Sequence, residues 1–187
     1  MIILVMGVSG SGKTTIGQKL AETLNFKFRD ADEFHSDENI IKMANDIPLS
    51  DEDRQPWLEK MQAAIDRWLQ QNQNVVLTCS GLKEKYRQML WRDPKQMELV
   101  YLKGSFELIE KRIKKRQDHF MKANLLKSQF EDLEEPTEGI WVDISQTPAE
   151  IVQEIINVLQ LKLIELDLTL NPSPIPPGLE RGVRKGE

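Results

Sequence analysis

The chain opens Met1-Ile-Ile-Leu-Val-Met6-Gly7-Val8-Ser9-Gly10-Ser11-Gly12-Lys13-Thr14, and this stretch decides the fold. Ile2–Met6 is an uninterrupted apolar run, the pattern of a strand buried on both faces. Gly7–Thr14 matches G-x-x-x-x-G-K-[ST], and Ile16, Leu20 and Leu24 then recur at helical spacing. Strand, glycine-rich loop and helix in that order make a phosphate cradle. Glycines let the backbone wrap closely, so that N–H groups point at phosphate oxygens. Lys13 reaches the β- and γ-phosphates, and the Thr14 hydroxyl ligates Mg²⁺. Gly7, Ser9, Gly10, Ser11, Gly12 and Thr15 complete the expected nucleotide-binding set, with the positive end of the following helix aimed at the same charge.

Outward from this stretch, apolar runs alternate with helical patterns, which predicts a parallel sheet with helices on both faces. The further candidate strands are Phe26–Arg29, Val75–Cys79, Leu99–Leu102 and Ile140–Ile144. Helices are expected over Thr14–Leu24, from a cap at Ser50 through Leu69, over Leu82–Trp91 and Phe106–Arg116, and from the capping box Thr147-Pro-Ala-Glu150 onward. Pro56 fits only the first turn of its helix, or a helix that starts one turn later. Residues 117–137 form a long polar excursion with a short helical pattern over Ala123–Leu133, and such excursions are usually functional. From about Leu166 the chain runs into Asn171-Pro-Ser-Pro-Ile-Pro-Pro-Gly178 and a charged tail, read as extended or disordered. Residues 1–165 are therefore expected to form one domain, and 166–187 an appendage.

Composition narrows the function. The 187 residues carry a net charge of −5, which argues against a general nucleic-acid partner. A single cysteine, Cys79, excludes an internal disulfide and fits the cytoplasm. No run of about 20 apolar residues is present to span a membrane. A guanine-reading N-K-x-D and a D-x-x-G are both missing, so a GTPase switch is not expected. Asp30 and Asp32 instead follow the second strand, at the carboxyl edge of the sheet where ligands bind. One carboxylate of such a pair can hold a water of the Mg²⁺ shell, and the other can orient an acceptor hydroxyl and take its proton. The basic run Lys111–Arg116 can bring Arg112 or Arg116 onto the transferring phosphate. Arg54, Lys83 and Arg87 are candidates for holding an anionic substrate.

Several blocks together resemble the gluconokinase family. The first is Asp30-Ala-Asp-Glu-Phe-His35 with Asn39, Lys42-Met43, Pro48-Leu49, Asp53-Arg54 and Pro56-Trp57-Leu58. Cys79-Ser-Gly-Leu-Lys83 with Tyr86-Arg87 forms the second, and Tyr101-Leu-Lys-Gly104 the third. Arg112, Arg116, His119, Gln129-Phe130, Leu133-Glu134 and Pro136 are similar to the family's lid. The resemblance runs from Ile2 to about Leu159. It implies a P-loop kinase fold with a five-stranded parallel sheet of order 2-3-1-4-5 and a mobile lid. It also implies transfer of the terminal phosphate of ATP, with Mg²⁺, to D-gluconate, and a homodimer. By similarity, Asp32 faces the acceptor hydroxyl and Asp30 the magnesium shell, while Arg54 pairs with the substrate carboxylate. Ser80, Gly81 and Lys83 line the sugar-acid site, His35 contacts substrate or shapes its pocket, Arg112 lies near the adenine or phosphates, and Arg116 is the lid arginine. Two departures stand out: Ala31 and Asp46 occupy positions where the family usually has glycine.

Overall fold

The computed structural model describes residues 1–45, 47–115 and 123–170. In chain order the elements are β1 (Ile2–Met6), α1 (Lys13–Leu24), β2 (Lys27–Asp30), a 3₁₀ turn (Ala31–Phe34), α2 (Asp37–Ala44), α3 (Asp51–Gln70), β3 (Val75–Cys79), α4 (Glu84–Leu90), β4 (Met97–Lys103), α5 (Phe106–Lys115), α6 (Ala123–Asp132), β5 (Ile140–Asp143) and α7 (Pro148–Leu170). The strands form one parallel sheet in the order β2-β3-β1-β4-β5, as expected. The central strand β1 and its neighbour β3 are buried throughout, whereas the edge strands β2 and β5 are partly exposed.

Burial explains the layering. Ile2, Leu4 and Met6 of β1 join Leu77 of β3 and Met97 and Leu99 of β4 in a core with Leu58, Met61, Ile65 and Trp68 of α3. These α3 residues recur every three to four positions, so one stripe of a long helix covers the sheet. Ser50 caps α3 through a reciprocal box with Asp53, and Asp51, Glu52 and Asp53 place acid in its first turn. That cap sets the start a full turn before Pro56. The proline therefore lies inside the helix rather than in its first turn, and its missing N–H falls on an exposed face.

Helix α2 was not legible in the sequence. Ser36 caps it, and Asn39 Nδ2 and Lys42 Nζ tie it to Asp53 at 2.8 and 2.6 Å. By contact density the chain divides into Met1–Ile155, which holds the sheet, and Ile156–Glu187. In the second unit the α7 helix continues to Leu170, past the boundary expected at residue 166, because no proline interrupts it before Pro172. Residues 171–187 lie outside the described residues.

Gly17 sets the seat of α1. A Cβ there would come within 2.5 Å of Thr78 Cγ2 and 2.9 Å of Phe28 Cε2, so α1 rests directly on β2 and β3. Gly17→Ala must push α1, and the loop before it, off the sheet. The expected loss is about 1–3 kcal/mol in urea unfolding, and a loss under about 0.5 kcal/mol would contradict this close approach.

Candidate active site

The carboxyl ends of β1, β2 and β3 open into a cavity of about 430 Å³, within the range of small-molecule sites. The loop between β1 and α1 forms one wall. Gly10 and Gly12 hold φ of 81° and 102°, left-handed values that glycine adopts without strain. Lys13 Nζ donates to the carbonyls of Gly7 and Val8 at 2.9 and 3.1 Å, holding the ammonium over the loop. Burial lowers its pKa, against the attraction of Asp32, Cys79 and Asp30. Ser9, Gly10, Gly12, Lys13, Thr14 and Thr15 reach the cavity, whereas Gly7 and Ser11 support it from behind. The Ser11 hydroxyl is buried and has no hydrogen-bond partner among the described residues.

The D-x-D pair sits opposite. Thr14 Oγ1 donates to Asp30 Oδ2 at 3.2 Å, so the hydroxyl and carboxylate expected around a metal are adjacent. Asp30 Oδ1 accepts from the Asp32 N–H at 3.1 Å, and this cap fixes the 3₁₀ turn that aims Asp32 into the cavity. Trp57 Nε1 donates to the Ala31 carbonyl at 2.7 Å and ties the same turn to α3. Among the described residues, only Asn25 and Asn72 hold positive φ without being glycine. Ala31 therefore lies where alanine is unstrained, and it fills a buried position. Asp46, the other departure, lies outside the described residues.

The Asp32 carboxyl is raised by burial among the cleft walls and by the Asp30 charge, and lowered by Lys13. Its side chain is still 85% exposed, so water screens these influences in the open cleft. No group of three or more His, Cys, Asp or Glu side chains forms a metal cage among the described residues. Thr14 with Asp30 suits magnesium, which takes few protein ligands and keeps phosphate oxygens and waters.

His35 stacks on Trp57, ring centroids 4.6 Å apart and planes within 4°. Its Nε2 is 3.9 Å from Asp32 Oδ1, and its Nδ1 is buried without a partner. Burial, then Arg54 and Lys60, push its pKa down to about 4, so the ring is neutral at pH 7.

Beyond His35 lies a cationic patch. Arg54 Nη1 donates to the Tyr86 hydroxyl at 3.0 Å, and its guanidinium stands 5.5 Å over the Tyr86 ring. Lys83 Nζ is 3.3 Å from Asp51 Oδ1. Asp51, which also takes Lys85 and the Tyr86 hydroxyl, is held well below the usual carboxylate range by those bonds. Arg54 and Ser80 line the cavity, whereas Gly81 and Lys83 are not part of its wall. Arg87, an equal candidate by sequence, is a scaffold residue: it is buried, with Nη1 bonded to the Gly81 and Leu82 carbonyls and Nη2 paired with Glu84. Arg112 turns to the Ile144 carbonyl and does not reach the cavity wall. Arg116 and His119 lie outside the described residues. Cys79 is a buried wall residue whose thiol is pushed up to about 12 by burial, which leaves it inert. Sequence reasoning missed Asp132 of α6, which lines the cavity near Arg54 and Lys83.

A glycine cradle with a lysine, an aspartate pair at the neighbouring strand end and a pocket for a small acceptor define a P-loop kinase. The shikimate kinase family model matches residues 9–160. A Dictyostelium discoideum protein named probable gluconokinase is 44% identical over 174 residues, with 86% of each chain covered. The thermosensitive gluconokinase of Escherichia coli strain K12 is 43% identical, over 81% of this chain and 83% of its own. The crystal structure of a gluconokinase from Sinorhizobium meliloti 1021 superposes with a TM-score of 0.79 at 41% identity, covering 89% of this chain and 95% of that one. The chain belongs to the gluconokinase family, within the wider shikimate kinase family.

A neutral buried His35 makes a directional prediction. Its folded pKa lies below its unfolded value, so between pH 6.5 and 4 the unfolded chain binds the extra proton and stability falls with pH. His35→Phe keeps the stacking ring and removes the titration. Urea unfolding from pH 7 to pH 4.5 should show a shallower decline for the variant than for wild type, and parallel declines would contradict a buried neutral imidazole.

Proposed function

We propose that this protein transfers the γ-phosphoryl group of Mg·ATP to the 6-hydroxyl of D-gluconate, giving 6-phospho-D-gluconate and ADP. The observation that carries the reading is one cavity with a phosphate cradle at one side, Asp32 facing it, and Arg54 set among Tyr86, Asp51 and Lys83. Gluconate has the matching form, a carboxylate at one end and a reactive hydroxyl at the other. A guanidinium fork suits the carboxylate. Its polyol middle can bond Ser80, which lines the cavity.

Each residue then has a role. Backbone N–H groups of the loop and Lys13 neutralise the triphosphate and the charge that spreads over the transferring group. Thr14 and Asp30 would hold a magnesium ion, which would supply charge neutralisation at the phosphates. Asp32 orients the acceptor hydroxyl and accepts its proton as the oxygen attacks in line. The same reading keeps the enzyme in the cytoplasm as a homodimer without a nucleic-acid partner. Among the described residues no helix is long and apolar enough to cross a membrane.

The test is ADP release with Mg·ATP against D-gluconate, shikimate, D-glucose and other sugar acids. Stimulation by gluconate above the others is expected, and preferential stimulation by shikimate or by no acceptor overturns the assignment. Asp32→Asn should lower kcat by about 10²–10⁴-fold with ATP affinity kept; lost ATP binding with surviving chemistry would refute the role given to Asp32. Arg54→Ala should raise the gluconate KM by at least about tenfold, the worth of a hydrogen bond to a charged group. An unchanged KM would remove Arg54 from the carboxylate site.

A further inference from the structure

Helix α6 carries Gln129 and Asp132 one turn apart, and both reach across the cleft. Gln129 Oε1 accepts from the Ser9 N–H at 2.7 Å, and its Nε2 donates to Ser9 Oγ at 3.1 Å. Asp132 places Oδ2 3.7 Å from Arg54 Nη2 and Oδ1 3.5 Å from Lys83 Nζ. The far end of α6 is anchored: Glu134 donates its N–H to the Leu82 carbonyl at 2.8 Å and accepts from the Glu84 N–H at 2.6 Å. Phe130 meets Phe106 of α5 edge to face at 5.3 Å. The helix is thus seated with an amide oxygen on a cradle N–H and a carboxylate on the two cations of the acceptor end. The amide oxygen takes a cradle N–H expected to face phosphate, and the carboxylate faces the cations expected to face the acceptor's own carboxylate.

The two carboxylates at the cations differ in hold. Asp51 belongs to α3 and is shared among Lys85, Tyr86 and Lys83 at hydrogen-bond contact. Asp132 approaches at ion-pair distances only, and its side chain is 36% exposed. Such a pair is weak against water, whereas a substrate carboxylate on a guanidinium fork can form two short bonds.

We propose that Asp132 is a built-in stand-in for the acceptor's carboxylate. It occupies Arg54 and Lys83 in the free enzyme, an anionic acceptor displaces it, and a neutral polyol offers no charge to exchange for it. Asp132 thereby sets both the acceptor KM and part of the discrimination against uncharged sugars. This inference rests on the reading of Arg54 as the carboxylate anchor.

Asp132→Asn tests it, with Asp132→Ser as a second variant, through KM values for D-gluconate and for ATP and through amide hydrogen exchange of α6 in the protein alone. Both variants should lower the gluconate KM about two- to fivefold, the worth of an exposed ion pair, with a smaller change in the ATP KM. Exchange over 123–132 should quicken while β1 stays protected. A gluconate KM unchanged in both variants overturns the proposal, and so does a raised one, which would make Asp132 a direct contact of the acceptor. Wild-type protein without gluconate-stimulated turnover would sink the function reading instead. Faster α6 exchange in the variants would then still uphold Asp132 as the anion on Arg54 and Lys83, and unchanged exchange would overturn that as well.

Discussion

The parallel pairing of β1 between β3 and β4 is the constraint on which the rest depends. Its register sets Met6 beside Cys79 on one side and Tyr101 on the other, so β1 and β3 end level while β4 runs two residues further. Asp30 lies level with Thr78 on the next strand out. The pairing continues one step into the loops, where the Gly7 N–H donates to the Ser80 carbonyl at 3.3 Å. The glycine cradle, the aspartate pair and the Ser80 turn therefore share one edge of the sheet because the strands beneath them are locked in step. Burial of β1 on both faces makes this register costly to slip.

Upon that edge the two ends of the cavity have opposite demands. The cradle must present N–H groups and a lysine to a polyanion, and its left-handed glycines answer that need. The acceptor end must hold cations in a half-buried place without paying the cost of isolated charge, and Asp51, Asp132 and the Tyr86 hydroxyl answer it. Between them, Trp57 serves both sides: its indole N–H pins the Ala31 carbonyl and its face carries His35. A single α3 side chain thus fixes both the turn that aims Asp32 and the neutral imidazole beside it.

The legible parts were those encoded locally. An apolar run, fixed glycines and a 3.6 period are short-range signals, and β1, the cradle and α1 follow from them, as do the Ser50 and Thr147 caps. Helix α2 escaped because it is short, leaves Ile40 and Ile41 exposed, and is held by Asn39 and Lys42 reaching to Asp53, a tertiary contact with no local pattern. Arg54, Lys83, Arg87 and Arg112 are alike in sequence. Only packing separates the Arg87 that braces the Gly81 turn and the Arg112 bonded to a backbone carbonyl from the Arg54 that faces the cavity. Asp132 was hidden for a related reason, since its meaning comes from cations far away in the chain.

The central claim is that the loop after β1 is the seat of phosphoryl transfer, with Lys13 as its charge. Its most direct test is the turnover of Lys13→Ala beside its ATP affinity and its fold by circular dichroism. A folded protein whose kcat collapses by several orders of magnitude is the predicted result. A folded protein with near-normal turnover would contradict the account.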